Sequence, residues 1–225
     1  DWYRSRGLGD VYKRQVEITP AIGQIDIFQK TGQKQLPVLF DKETTIHDSS
    51  SIIRHLEKIE IEPKLIPEGL KEASQAQIIE NWADTTLAKS IKIVFLEELT
   101  KNPKLISSLF SDKISNSMQK PLFNIPTKIA SQISGLINQK EKESLKLNLK
   151  NLSNLINQEN FLIGDKLSIA DISVASHLSL LKFPNSSGEN LTGQGCSIYV
   201  NDPSLQNLFK WRDFIEDQLA ITNHH

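Results

Sequence analysis

The sequence predicts a chain of two parts, an α+β segment followed by an all-α domain. Three observations carry that reading. The short apolar or alternating runs "VEIT", "LPVLFD" and "TTIHD" all fall before residue 50, and from Lys71 onward apolar residues recur at three- and four-residue spacing. Between the two regions lies "EPKLIPEG", whose two prolines and glycine read as an interdomain linker.

"VEIT" alternates and stops at Pro20, the pattern of a short strand. "AIGQIDIFQKTGQKQ" is a connection with one irregular helical turn. "LPVLFD" opens on Pro37 and "TTIHD" follows it across the polar turn Asp41-Lys42-Glu43, so the pair reads as a hairpin. "DSSSIIRHLEKI" puts Ile52, Ile53 and Leu56 on one face behind a polar start, the form of a capped helix.

The helical region begins with "KEASQAQIIENWADTTLAKSIKIVFLEEL", which reads as one long helix. "EKESLKLNLKNLSNLINQ" spaces Leu145, Leu149, Leu152 and Ile156 at four, three and four residues. "LSIADISVASHLSLLKF" is apolar all round, as a buried central helix should be. Its start, Ser168-Ile169-Ala170-Asp171, fits a capping box in which Ser168 bonds a first-turn amide and Asp171 reaches back. A last helix runs through "PSLQNLFKWRDFIEDQL".

Composition excludes several classes. With 225 residues, 38% hydrophobic and 24% charged, the chain can bury a real core. A formal charge of −1 gives no field for nucleic acid. Cys196 is the only cysteine, which excludes a disulfide framework and a C-x-x-C site and suits a reducing compartment. No apolar run approaches a membrane span of about 20 residues. The expectation is a cytoplasmic protein with no membrane, nucleic-acid or metal partner. His47, His55 and His177 are too dispersed for a metal site, and the glycines of 188–195 lack the Lys-Ser/Thr ending of a phosphate loop.

The first fifteen residues, "DWYRSRGLGDVYKRQ", have neither strand nor helix period, yet hold three of the five arginines and two of the three tyrosines. Residues 5–15 resemble a translated transposase-type sequencing adapter in one frame. Residues 1–15 are therefore expected to be a technical scar, with natural sequence entering at Val16 inside a domain.

The order of strand, connection, "QLPVL", hairpin, "DSSSIIRHL", proline linker, helical domain and "GDKLSIADI" resembles the glutathione transferase family over residues 16–219. The resemblance implies a thioredoxin-like N-terminal domain, with its first strand and helix missing, followed by an all-α domain. The expected boundaries are 1–15 scar, 16–62 partial glutathione-binding domain, 63–70 linker and 71–225 α-domain. Pro37 matches the family's cis-proline, and Leu36 before it would pair its backbone with the cysteinyl part of glutathione, as an added strand does. Asp48-Ser49 stands at the family's Glu-Ser position. Ser49 and the free amides of the helix start would receive the γ-glutamyl carboxylate, and Asp48 the ammonium group. Both residues are also ordinary helix caps. Lys34 and Gln35 stand where family members place a basic or amide side chain for the glycyl carboxylate, although Thr31-Gly32-Gln33-Lys34 replaces the usual Asn-Pro-x-Gly. Gly164, Ser168 and Asp171 match the family's Gly-x-x-x-Ser-x-Ala-Asp motif, whose role is folding.

The residue that activates the glutathione thiol in this family, a Tyr, Ser or Cys, follows the first strand. The scar stands there, so no catalytic residue is assigned, and Tyr3, Ser5 and Tyr12 are set aside. The resemblance implies a homodimer whose parent conjugates glutathione, as substrate, to a hydrophobic electrophile. The alternatives are a non-catalytic interaction or ligand-binding module of the same fold, and a helical scaffold outside the family. Trp82 fits either a substrate pocket or core packing.

Overall fold

The computed structural model describes residues 28–29, 31–32, 36–59, 64–110, 139–156 and 159–222. The expected scar, the expected "VEIT" strand, Lys34 and Gln35 lie outside them. The chain divides into two compact units, parting between Leu65 and Ile66.

In the first unit, β1 (Val38–Asp41) and β2 (Thr44–His47) pair antiparallel, Val38 opposite His47 and Asp41 opposite Thr44. The two-residue loop turns on Lys42, whose φ is 53°. Helix α1 (Ser49–Ile59) follows at once and packs on the hairpin. Ile52 and Ile53 are half-buried, whereas Leu56, expected on the same buried face, is 38% exposed.

The second unit is helical. Its first helix does not run unbroken as the sequence pattern suggests: α2 (Leu70–Trp82) passes through a π turn (Ala83–Leu87) into α3 (Ala88–Lys101). The polar Asp-Thr-Thr stretch lies in that turn. Asp84 there accepts hydrogen bonds from Ser173 Oγ (2.6 Å) and pairs with His177 Nε2 (2.9 Å), while Thr85 Oγ1 donates to the Asn81 carbonyl (2.6 Å). Then come α4 (Pro103–Phe110) and α5 (Gln139–Ile156), which buries Leu145, Leu149, Leu152 and Ile156. Helix α6 (Ile169–Leu178) lies against α2, the π turn and α3. The short α7 (Ser197–Val200) and the long α8 (Gln206–Thr222) close the order. The common core joins Leu87 and Ile91 of the first helix to Leu149, Val174, Leu208 and Phe209, and Trp82 packs against it.

Helix α6 stops at Leu178, although the apolar pattern continues to Phe183. Backbone groups beyond it are taken by the returning chain: the Cys196 amide donates to Leu181 O (2.8 Å) and the Phe183 amide to Gln194 O (2.7 Å). Gly195 permits this approach, since a Cβ on it would lie 2.1 Å from Leu181 O. The guanidinium of Arg212, 1% exposed, donates to Lys182 O and Ser179 Oγ and rests over the Phe209 ring, pinning the same loop to α8. Cys196 is buried among these contacts. Burial, with Glu98 and Glu97 nearby, pushes its thiol up to about 12.

The start of α6 is closely bonded. The Ser168 amide and hydroxyl donate to one oxygen of Asp171 (2.8 and 2.7 Å), and the Leu162 amide to the other (2.7 Å). The capping box is thus present, and the Ser168 hydroxyl also serves Asp171 as a donor. Gly164, at φ 64°, makes the left-handed turn that brings Leu162 back to the helix start. Burial pushes the Asp171 carboxyl up against the pull of these bonds.

Two stability outcomes follow. Asp171→Ala leaves three inward donors without their acceptor and should cost about 3–5 kcal/mol in urea unfolding. For Glu97, 7% exposed, burial alone would raise the carboxyl, but Lys101 and Lys142, each 2.6 Å away, outweigh it and hold it low. A depressed carboxyl contributes stability that is full above its ordinary 4.5 and lost as pH falls through the folded value. Glu97→Gln should therefore destabilise at neutral pH, and the difference from the parent should shrink as pH falls below the ordinary carboxylate range in the same assay.

Candidate functional site

The hairpin register decides which expected site residues meet. With Val38 opposite His47, the dipeptides Leu36-Pro37 and Asp48-Ser49 are both carried to the open end of the hairpin. The Leu36–Pro37 peptide is cis, and Leu36 is 48% exposed. Among the described residues nothing bonds the Leu36 backbone, and β1 pairs on one edge alone.

Asp48 has φ 70°, a left-handed backbone in which Asp is tolerated better than most residues. That turn ends β2 and starts α1 with no connecting loop. Asp48 caps the helix it starts: its carbonyl accepts the Ile52 amide (2.9 Å), and Oδ2 accepts the Ser51 amide and hydroxyl (both 3.2 Å). Its Oδ1 keeps no partner among the described residues. The same holds for the amides and hydroxyls of Ser49 and Ser50, so α1 presents unpaired donors at the positive end of its dipole. The arrangement therefore offers a strand edge, a free carboxylate oxygen and a cluster of N–H and O–H donors within one short stretch. An extended peptide bearing a carboxylate and an ammonium group matches those features.

Two neighbours went unread in the sequence. Ser51 adds a hydroxyl to the cap, a detail that a run of three serines hides. His55 Nε2 lies 2.8 Å from Asp41 Oδ2, tying the middle of α1 to the far end of β1. No spacing rule flags a pair fourteen residues apart. Next to Asp48, His47 has a buried Nδ1 with no partner among the described residues. Gly164, Ser168 and Asp171 belong to the second unit, where they form the α6 start. Among the described residues no group of three or more His, Cys, Asp or Glu could hold a metal, and no helix is long and apolar enough to cross a membrane.

Asp48 should be replaceable in the cap by Asn but not by Ala. Asp48→Asn is expected to stay within about 0.5 kcal/mol of the parent, whereas Asp48→Ala should lose about 1–2 kcal/mol, read by denaturant unfolding.

Comparison with known proteins agrees with this architecture. Residues 130–218 match the model of the glutathione S-transferase C-terminal domain. FtsZ-localized protein A of Caulobacter vibrioides is 23% identical over 151 residues, 65% of this chain and 56% of that protein, so the chain spans little more than half the length of this curated relative. Among solved structures, the beta-etherase LigF from Sphingobium sp. strain SYK-6 is similar at a TM-score of 0.58 and 19% identity, over 89% of this chain and 82% of that one. Glutathione S-transferase 1-6 from Anopheles dirus species B follows at 0.50 and 16%, over 94% and 87%. At these identities the structural likeness speaks for the fold. A thioredoxin-like hairpin and helix thus precede an all-helical domain, of which residues 130–218 are similar to the glutathione S-transferase C-terminal domain.

Proposed function

We propose that the natural protein binds glutathione and transfers its sulfur to a hydrophobic electrophile in the cytoplasm, and that this chain, with residues 1–15 in place of natural sequence, is inactive. The observation that carries the reading is the register that brings Leu36-Pro37 and Asp48-Ser49 to one end of the hairpin. Leu36 would pair its N–H and C=O with the cysteinyl backbone of the tripeptide. The γ-glutamyl carboxylate would sit on the Ser49 hydroxyl and the first amides of α1, and the ammonium on Asp48 Oδ1, the oxygen the cap leaves over. Lys34 and Gln35 would take the glycyl carboxylate. Conjugation also needs a donor at the sulfur to lower the thiol pKa, and natural sequence in this chain supplies none.

The proposed domains are the glutathione-binding segment 16–62, the linker 63–70 and the α-domain 71–225. The natural protein is proposed to be a homodimer joined through α1 and α2. Leu70 and Ile78 on α2, 85% and 68% exposed, are the apolar surface such an interface would cover. A second reading, a non-catalytic module of the same fold, takes its support from the relative named as FtsZ-localized.

Conjugation to a chlorodinitrobenzene-type substrate tests the first reading. A chain whose residues 1–15 are replaced by the genomic upstream sequence should be active, its Ser49→Ala variant weaker by about tenfold in kcat/KM, and the present chain at background. Glutathione binding without turnover in the repaired chain would favour the module instead. Ile78→Glu in the repaired chain should convert a dimer to a monomer in light scattering.

A further inference from the structure

The pair His55–Asp41 stands outside the proposed glutathione-contacting groups, yet it joins the two elements that carry them. His55 lies on α1 two turns beyond the Asp48 cap, and Asp41 at the loop end of β1. Their 2.8 Å contact is partly open to water, with side-chain exposures of 26% and 33%, so protons reach it. It joins the helix carrying Asp48-Ser49 to the strand that continues from Leu36-Pro37. Together with the hairpin ladder it closes a triangle: strand to strand, strand to helix start, and helix body back to strand.

We infer that His55 is a positioning residue whose protonation tightens α1 on the hairpin and thereby strengthens ligand binding at the hairpin's open end. The inference rests on the glutathione reading above. With a neutral imidazole, Nε2–H donates a single hydrogen bond to the Asp41 carboxylate. With an imidazolium the same contact becomes a charge-assisted pair, shorter and stronger. The helix is then held harder at the point that aims its N-terminus. Other charges on the packed elements do not substitute for Asp41. Lys42 and Glu43 are exposed in the loop, and Arg54 and Lys58 share α1. Glu57 accepts the Leu65 amide. His47, opposite Val38, projects from the other face of β2 by strand alternation.

The test uses the chain with residues 1–15 replaced by the genomic upstream sequence, taken as wild type, and S-methylglutathione, whose blocked thiol removes sulfur ionisation, with dissociation constants by calorimetry at about pH 6 and about pH 7.5. Wild type should bind about threefold tighter at the lower pH than the ligand's own titration accounts for. His55→Gln and Asp41→Asn should both lose that difference while keeping the parent's circular dichroism. If His55→Gln unfolds, Asp41→Asn carries the test. Equal pH dependence in wild type and a folded variant overturns the inference and leaves the glutathione reading standing. No binding by wild type at either pH overturns both.

Discussion

The carboxylate of Asp171 is the constraint on which the helical unit depends. It is fully buried, and a buried carboxylate is tolerable only where donors converge on it. Here three do, and they come from two places in the chain, Leu162 and Ser168. The group thus fixes both the start of α6 and the path of the segment that leads into it. Once α6 is fixed, Val174 and Leu178 face the core, and Ser173 and His177 face Asp84. The π turn and α6 therefore hold each other: Asp84 reaches Ser173 and His177 from the widened turn, and the helix it reaches is anchored by Asp171.

The first unit obeys a different logic, built on backbone reversals. Two non-glycine residues with left-handed φ, Lys42 and Asp48, bracket the four residues of β2. One turns the chain back on β1 and the other turns it into α1. Such conformations are tolerated where surrounding bonds enforce them, and Asp48 is held by its own cap. The consequence is economy of distance. No loop separates the strand pair from the helix start, so two dipeptides twelve residues apart in sequence come to the same end of the hairpin.

Much of this was legible in the sequence, and the failures have physical causes. The 4-3-4 spacing of Leu145, Leu149, Leu152 and Ile156 is local and survives in any helix that buries one face, so it was readable. So was the Ser168–Asp171 box, whose partners are three residues apart. The unbroken first helix was not, because the partners of the π turn, Ser173 and His177, lie about ninety residues on. The early end of α6 was hidden for the same reason: the competing partners, Gln194 and Cys196, arrive from the far side of a loop. Around the site the residue types were visible, while the division of labour between the two Asp48 oxygens needed coordinates. Arg212, the largest fully buried side chain among the described residues, went unnoticed because a lone arginine in "FKWRDF" looks like a surface charge.

The surroundings of Cys196 have a practical meaning. The chain has one sulfhydryl, 1% exposed and with its ionisation pushed up to about 12, so at neutral pH almost no thiolate is available for attack or oxidation. Disulfide-linked aggregates and mixed disulfides with small thiols have no ready starting point in the folded chain. Maleimides and spin labels find nothing to react with either. The protein is in effect a blank background for cysteine chemistry, and a single cysteine introduced on the surface would report on its own position alone.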